Sequence, residues 1–471
     1  MSNFANTANI VQALPLPPIY YSQQGPSYWV EDARGKWIRI NETSAKITIK
    51  TNGYGDEKTE GVSECERCLL NIQSEQNVAY AGPLAGYLAG HYSINNNSVL
   101  VTESPRLIQP AAGEWPTLRT VFQGMFGDED HRQLDYLYGW LKMGIEAVYS
   151  GTGSPGQALV MAGPVNSAKS LTQTLITEIF GGRSAKPYLY MTGGTNFNGD
   201  LFRAEHLMIE DDAEHISMEA RRVFAAHIKS ISVNRDQHCH GKNKDALTLT
   251  PIWRLSISLN NEPQRLLVLP NLDPDVADKM IILKAKCCPM PMPTDTPGQR
   301  QAFWQRLKSE LPHFVHYLQQ WEIPADLRSP RFGIAHFHHP EIATMLFRAS
   351  PENRLLEIID LAVFGGRLAL PGPALAEPIE GTAREIQDRL FAGRMAFEAK
   401  ALLKYGNSCG TYLGKLQASI ETHRRINSRI VRGDTVWTIN PPRQTVPEPE
   451  PMGDDGADAL PHPPPMSALA A

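Results

Sequence analysis

One segment of the chain has the residue types and the spacing that bind a polyphosphate. An apolar run over 158–161 enters a loop that opens at Gly163 and ends in Lys169 and Ser170, and a helical pattern follows. Backbone N–H groups of such a loop and the positive helix N-terminus surround the phosphates, the lysine reaches the terminal phosphates, and the serine hydroxyl binds Mg²⁺. ATP and Mg²⁺ are therefore the predicted cofactors. The predicted binding residues are Gly163, Pro164, Asn166, Ser167, Ala168, Lys169 and Ser170.

One of these residues departs from the pattern. Ala168 stands where G-x-x-x-x-G-K-[ST] has its second glycine, and its Cβ crowds the phosphate. The minichromosome-maintenance helicases resemble this chain in carrying alanine at that place. The alternative interpretation is a chance Lys-Ser pair at the start of a helix.

Acidic residues follow a second predicted strand, where a nucleotide site needs a carboxylate. Glu210, Asp211 and Asp212 come directly after the apolar residues 207–209, at the strand end that lies beside the phosphate loop in a parallel sheet. One carboxylate would hold Mg²⁺ and another would polarise the attacking water. We favour Asp211 for Mg²⁺ and Glu210 for the water. The alternative is a solvated acidic strand end.

A neutral amide ends a third predicted strand. Asn260 follows the run 253–259, and an asparagine there can donate to and accept from the lytic water without adding charge. The alternative is an ordinary turn, because Asn-Asn-Glu-Pro at 260–263 has good turn chemistry.

A basic hairpin is predicted between the second and third of these strands. Residues 229–244 alternate in polarity around a tip that is rich in cations, which suits the grip of a phosphate backbone. A solvated turn and a metal site at 238–240 are the alternatives. Neighbouring residues of a strand face opposite ways, so Cys239 would not share a side with the two histidines. The predicted DNA contacts are Arg235, His238, His240, Lys242 and Lys244.

Bulk composition indicates a protein of several domains without a membrane span. The chain has 471 residues and a net charge of −5, so contacts with nucleic acid must come from local patches. It has neither an apolar stretch of transmembrane length nor the pattern of a signal peptide. Cys65 and Cys68 are interpreted as free thiols rather than zinc ligands, because no second pair follows nearby.

Pattern changes along the chain predict an α/β fold in seven segments. Alternation from Tyr28 to Ile49 predicts strands, including one over 45–50, and Asp128 to Asp130 are interpreted as an acidic turn before a helix rather than a metal-binding pair. The predicted segments are a loose arm (1–25), a small α+β domain (26–112), a helical segment (113–152), a core with a mostly parallel sheet (153–295), a helical region (296–380), a winged-helix domain (381–440) and a disordered proline-rich tail (441–471).

The winged-helix prediction depends on a second basic region. Two helical patterns over 383–390 and 408–416 precede two strand patterns over 426–439, which would put the second helix in a DNA groove. Lys415 and Arg432 are the predicted DNA contacts. The alternative is a winged helix that serves only packing or protein contact.

The order of these motifs resembles that of the superfamily-three helicases, the AAA+ ATPases of small viruses, phages and plasmids. The resemblance is closest to the phage and mobile-element primase-helicases related to the poxvirus primase-helicase. Residues 163–170 match G-P-x-N-x-G-K-[ST], in which Asn166 is characteristic, residues 208–211 match the acidic motif, and residues 260–263 match the sensor motif. The match covers roughly 115–295.

The resemblance implies an AAA+ core in a hexameric ring, with a basic residue from the neighbouring subunit completing each nucleotide site. Lys279 and Arg265 are the candidates, and a lysine would supply charge without a bidentate fork. The resulting hypothesis is an ATP-dependent DNA helicase or translocase of a phage or mobile element, in the cytoplasm of a bacterial host. We expect single-stranded DNA in the channel and duplex at the winged helix, and replication proteins as further partners. Ala168 and Lys279 motivate one alternative, a non-motor DNA-binding module. A protein-remodelling ATPase is the other.

Overall fold

The computed structural model divides the chain into two compact units, residues 1–350 and 351–471. Asp211, Asp212 and most of the predicted tail lie outside the described residues. The described residues are 16–128, 130–210, 217–365, 377–418, 422 and 424–442.

The first part of unit 1 builds two small sheets. Its elements are β1 (Ile19–Ser22), β2 (Ser27–Glu31), β3 (Trp37–Ile40), α1 (Glu42–Thr51), β4 (Lys58–Thr59), β5 (Val62–Ser63), α2 (Glu64–Glu75), β6 (Asn77–Val78), β7 (Tyr80–Gly82), β8 (Gly90–Ile94) and β9 (Asn97–Val101). One sheet has the order β3-β2-β1-β6 and the other the order β7-β9-β8, while β4 pairs with β5.

Two predictions for this part are wrong. Residues 19–22 of the predicted loose arm form β1, which pairs with β2 and β6, and the Ile19 side chain is buried. Residues 45–50, predicted as a strand, belong to α1. The Asn41 side chain accepts a hydrogen bond from the Ser44 N–H and caps this helix, and Ala45 and Ile49 are buried one turn apart.

The rest of unit 1 contains a six-stranded sheet in the order β11-β12-β15-β10-β16-β19, and all of its paired strands are parallel. The predicted mixed α/β core with a parallel sheet is therefore confirmed. The elements are α3 (Pro116–Phe126), α4 (Gln133–Ser150), β10 (Ala158–Ala162), α5 (Lys169–Ile179), β11 (Ser184–Ala185), α6 (Tyr188–Met191), β12 (His206–Ile209), α7 (Met218–Val233), β13 (Gln237–Cys239), β14 (Leu247–Leu249), β15 (Arg254–Leu259), α8 (Pro263–Leu266), α9 (Pro274–Ala277), β16 (Met280–Lys284), α10 (Pro297–Gln320), β17 (Arg328–Ser329), β18 (Gly333–Ile334), β19 (Phe337–His338) and α11 (Pro340–Ala349).

Buried side chains cover both faces of this sheet. Along β10, Leu159 and Met161 pack with α3, α4, α5 and α10, whereas Ala158, Val160 and Ala162 pack with α7, β13, β14 and residues of β7 and β9. This alternation follows from the two-residue repeat of a strand. The sheet is thus the middle layer, and its carboxyl edge carries the loops in which the candidate site lies.

The basic hairpin is shorter than predicted. Strands β13 and β14 pair in antiparallel fashion, but residues 229–233, predicted as one flank of the hairpin, are the last residues of α7. The apolar spacing of α7 places Phe224 and Ile228 in the core four residues apart, and this helical period overrides the local alternation of polarity.

Unit 2 contains a small three-stranded sheet, and three helices lie along the chain between the first of its strands and the second. Its elements are α12 (Pro351–Ala362), β20 (Ile379–Thr382), α13 (Ala383–Ala392), α14 (Ala396–Leu402), α15 (Ser408–Ala418), β21 (Ile426–Val431) and β22 (Asp434–Ile439). The sheet is antiparallel in the order β20-β22-β21. The two predicted helices and the final hairpin are present, and β20 and α14 were not predicted.

No helix in the described ranges of either unit combines the length and the apolar character needed to cross a membrane.

Candidate functional site

The phosphate loop begins at a point where neighbouring strands leave no room for a side chain. Gly163 follows β10 and donates its N–H to the Leu259 carbonyl at 3.1 Å. A Cβ built on Gly163 would lie 2.4 Å from the Ala285 carbonyl oxygen. Packing therefore requires glycine here, independently of the motif that predicted the loop.

Two residues of the loop adopt a left-handed backbone conformation. Asn166 has a φ of 65° and Ala168 a φ of 55°, and α5 begins at the next residue. Asparagine tolerates this conformation, whereas the Cβ of alanine meets the following carbonyl at a cost of roughly 1–2 kcal/mol. The backbone conformation at Ala168 thus favours glycine.

The Lys169 ammonium lies inside the loop and is only 8% exposed. Its Nζ donates to the carbonyl oxygens of Gly163 (2.8 Å) and Pro164 (2.7 Å) and to Ser167 Oγ (3.1 Å). It also lies 3.4 Å from Asn260 Oδ1. The structure therefore brings the predicted phosphate-loop lysine and the predicted sensor asparagine together, while Ser170 is exposed on the first turn of α5.

Buried polar side chains hold α5 against the strands that precede the acidic residues and Asn260. Gln173 Nε2 donates to the Ile209 carbonyl (3.1 Å) and to Ser256 Oγ (2.9 Å). The His206 ring contacts Thr177 Oγ1 at 2.7 Å and Ser256 Oγ at 2.8 Å. Burial lowers the pKa of His206 to about 3, so this ring is neutral. These bonds fix α5 relative to β12 and β15.

Glu210 directly follows β12, and β15 separates β12 from β10 in the sheet. Asn260, at the end of β15, accordingly lies between the phosphate loop and the acidic segment. Glu210 is partly buried and forms an ion pair with Lys186. The other two predicted carboxylates, Asp211 and Asp212, lie outside the described residues.

Arg265 and Lys279, the two basic residues predicted to complete the nucleotide site of a neighbouring subunit, lie at opposite ends of the strands of the sheet. Arg265 lies in α8, directly after the turn that follows Asn260, and is partly exposed. Lys279 precedes β16 at the amino edge, and its side chain is 10% exposed. Its Nζ lies 2.6 Å from Asp278 Oδ1, and Arg331 binds the other oxygen of Asp278 at 3.2 Å.

The hairpin presents its predicted cations to solvent. Arg235, His238, Lys242 and Lys244 are exposed, and His240 is partly buried. Cys239 is 4% exposed on the opposite face, and burial raises its pKa to about 11. A thiol that stays protonated and faces the core does not favour a metal site formed with the neighbouring histidines.

A second loop, which the sequence analysis did not single out, is fastened to the hairpin. The Asn198 carboxamide donates to the His238 carbonyl (2.8 Å) and accepts from the His240 N–H (2.7 Å). The N–H groups of Asn198 and Gly199 both donate to the His240 carbonyl. These bonds hold Phe197 beside the His240 ring, with ring centroids 5.1 Å apart. The signal available in the sequence for this loop was an aromatic residue, Phe197, within the glycine-rich stretch 193–199.

Among the described residues, one cluster has the side chains of a metal site: Asp128, His131 and His339. His131 Nδ1 lies 3.0 Å and His339 Nε2 lies 3.4 Å from Asp128 Oδ2. His339 Nδ1 accepts from the Glu341 N–H, so the ring proton is on Nε2 and points at Asp128. A nitrogen that donates has no lone pair for a metal. We interpret the cluster as a hydrogen-bond network that links the segment before α4 to α11.

The predicted DNA contacts of unit 2 are both exposed. Lys415 lies on α15, with its Nζ 3.8 Å from Glu352 Oε2. Arg432 and Gly433 form the two-residue turn between β21 and β22, with φ values of 52° and 91°, as a tight hairpin requires. Arg432 is therefore at the tip of this second hairpin.

Comparisons with known proteins show structures of similar fold but no matching family. No family model matches the chain, and no curated protein matches it. The fold of the chain is similar to that of the NrS-1 C-terminal region in its A-form apo structure, with a TM-score of 0.50 and 11% identity. The similarity covers 91% of this chain and 97% of that chain. A second apo structure of the NrS-1 C-terminal region has a TM-score of 0.50, 12% identity, and coverage of 91% and 96%.

These two similarities show a shared fold over nearly the whole of both chains. A JCV helicase structure is a much looser match, with a TM-score of 0.22, 13% identity, and coverage of 46% of this chain and 56% of that chain.

Proposed function

We propose that this protein is an ATP-driven DNA helicase or translocase that works as a ring of identical subunits. The observation that carries the proposal is the meeting of Lys169 Nζ and Asn260 Oδ1, 3.4 Å apart, at the mouth of the phosphate loop. Lys169 begins α5 after the loop that follows β10, and Asn260 follows β15, the neighbouring strand of the same parallel sheet. Glu210 follows β12, the next strand beyond. Such an arrangement serves phosphoryl transfer, in which catalysis consists mainly of positioning and charge stabilisation.

The loop fits a polyphosphate. Gly163 brings the backbone close to Ala285 without a side chain. The loop ends where α5 begins, and the first N–H groups of a helix favour an anion. Ser170 and a carboxylate after β12 would hold Mg²⁺, which neutralises charge on the phosphate oxygens. Lys169 exchanges its contacts with loop carbonyls for contacts with phosphate oxygens.

The roles of the remaining residues follow from their positions. Asn260 orients the attacking water by donating from its amide nitrogen and accepting at its oxygen. Glu210, at the neighbouring strand end, accepts a proton from that water. Arg265 suits the trans role better than Lys279, because Lys279 would have to leave Asp278 and a largely buried position to reach a neighbouring subunit.

The hairpin and unit 2 supply the contacts with DNA in this proposal. Lys242 and Lys244 are exposed at the turn of the hairpin, where they would follow a single strand in the channel of the ring. Three helices followed by a hairpin suit a winged helix, with Lys415 on its last helix and Arg432 at the tip of its wing, in contact with duplex.

A non-motor DNA-binding module is the second candidate. The left-handed Ala168 and the buried Lys279 favour it, because each lowers the expected rate of hydrolysis. The two candidates share their DNA contacts and differ only in ATP turnover.

The test is steady-state ATP turnover with and without single-stranded DNA. We expect turnover that DNA stimulates and that Lys169→Ala and Asn260→Ala both abolish. Lys308→Ala is the control, because Lys308 is an exposed lysine on α10 whose ion pair with Glu178, at the far end of α5 from Lys169, is long, at 3.6 Å. Absence of turnover in the wild-type protein, with DNA binding intact, would favour the non-motor module. Turnover that survives Lys169→Ala would refute the site.

A further inference from the structure

An open cleft lies between the tip of the basic hairpin and the turn that joins β1 to β2. Its volume is about 690 Å³, and its walls include Gln23, Gln24, Pro26, Phe197, His240 and Lys244. One wall therefore comes from the first small sheet of the chain, a region for which sequence analysis found no role. Gln24 Nε2 donates to the Asp245 carbonyl at 3.4 Å and joins the two walls.

Phe197 forms a fixed, exposed aromatic surface in this cleft. Its side chain is 44% exposed, although the next residue, Asn198, is 5% exposed and is bonded to the hairpin on both sides of its carboxamide. The anchored loop thus leaves nearly half of this large apolar side chain in solvent. It provides a π-face of the kind on which bases stack in proteins that bind single strands.

The opposite wall offers hydrogen-bonding groups rather than charge. Gln23 is exposed, and Asn77 Nδ2 donates to its Oε1 at 3.1 Å, which orients this amide. A glutamine amide presents one acceptor and two donors and can match the polar edge of a base. Lys244 and Asp245 line the hairpin side, where the ammonium of Lys244 would meet a phosphate of the same nucleotide.

We propose that this cleft binds one unpaired nucleobase of the strand held by the hairpin, stacked on Phe197, with the amides of Gln23 and Gln24 at its edge. The first small sheet is then part of the nucleic-acid interface. The proposal rests on the proposed function, because it takes the hairpin to grip a single strand. A paired base would not fit, since its stacked neighbours leave no face open to Phe197.

The experiment measures binding of the full chain to two probes of equal charge: a thymidine oligonucleotide and its abasic deoxyribose-phosphate counterpart. Wild-type protein should bind the intact strand about 5- to 150-fold more tightly, the range expected for one stacked base. Both probes should show the same dependence on salt, because they carry the same phosphates. Equal affinity for the two probes would overturn the proposal without any variant.

Variants then assign the effect to the cleft. Phe197→Leu should bring the affinity for the intact strand down to that for the abasic strand, and the double variant Gln23→Ala/Gln24→Ala should alter the preference among the four homopolymers. Leu70→Ala is the control, because Leu70 is an exposed apolar residue on α2. Thermal unfolding of each variant checks that it folds.

The outcomes separate this proposal from the proposed function. If Phe197→Leu binds like the wild type while Lys242→Ala binds more weakly and ATP turnover is stimulated by DNA, the cleft fails and the helicase proposal stands. If no probe binds and DNA does not stimulate turnover, both fail.

Discussion

The phosphate loop and the hairpin hold their cations in opposite ways. Lys169 is 8% exposed and is surrounded by three loop oxygens and Asn260 Oδ1, whereas Lys242 and Lys244 are exposed. In the proposed function Lys169 meets a reacting phosphate, and a cation that is held in place beforehand avoids a reorganisation that costs rate. In the same proposal Lys242 and Lys244 follow a moving strand, which requires reach instead, and solvent screens their charge.

The packing around the phosphate loop is also tighter than the packing around the hairpin tip. Gly163 has no space for a Cβ, and Gln173 and His206 fix α5 against two strands. The hairpin is fastened to Asn198, but its tip borders an open cleft, and the hydrogen bond from Gln24 of the β1–β2 turn to Asp245 is long, at 3.4 Å. We conclude that changes at the loop will act on chemistry and folding, while changes at the hairpin will act on affinity and its dependence on salt.

The largest expected effect is that of Lys169→Ala on ATP turnover. Loss of the ammonium removes stabilisation of charge that develops during hydrolysis, and turnover should fall by at least about 100-fold. Affinity for single-stranded DNA without nucleotide should be unchanged, because Lys169 is buried within its loop whereas the predicted DNA contacts are exposed on the hairpin. A parallel loss of DNA affinity would break the comparison, because it would make Lys169 part of one shared surface.

Next in size is Gly163→Ala. The new Cβ would lie 2.4 Å from the Ala285 carbonyl oxygen, so the free energy of unfolding in urea should fall by about 1–3 kcal/mol. Gly298→Ala is the matched control, since nothing lies within 4 Å of a Cβ there and alanine in α10 should raise stability by up to about 1 kcal/mol. Equal stability of the two variants would contradict the close approach at Gly163.

Lys242→Ala should have a smaller effect, and it should change only the affinity for DNA and the salt dependence of that affinity. One lost phosphate contact lowers affinity roughly threefold and reduces the slope of log K against log salt by about one. Lys308→Ala serves as the control for a lost surface charge. An unchanged slope would remove Lys242 from the interface.

The smallest effect is expected from Ala168→Gly. Glycine relieves the left-handed φ of 55° but loses more entropy on folding, so stability should rise by less than about 1 kcal/mol. Removal of the Cβ should also tighten ATP binding, which calorimetry measures. Weaker ATP binding by this variant would show that alanine is required here rather than tolerated.

Sequence reasoning succeeded where contiguous residues determine the structure. The strand, loop and helix around Lys169 and the strands before Glu210 and Asn260 are local patterns, and parallel strands bring their carboxyl ends to one edge of a sheet. It failed at α1, where residues 45–50 alternate like a strand while Ala45 and Ile49 also satisfy a helical period, and the cap at Asn41 decides between them.

The rest could not be read from the sequence, because it depends on contacts between distant segments. Phe197 gains its position only through the bonds of Asn198 to the hairpin. Gln24 reaches Asp245 across most of the length of unit 1. The burial of Lys279 likewise depends on its neighbours in the fold, including the contacts of Asp278 with Lys279 and Arg331.

Calorimetric titration of the purified protein with Mg²⁺–ATP tests the central claim most directly, with Lys169→Ala and Lys308→Ala run in parallel. The account predicts saturable binding by the wild type and by Lys308→Ala, and none by Lys169→Ala. Absence of wild-type binding at millimolar ATP, or equal binding by all three proteins, would contradict the assignment of this loop as a nucleotide site.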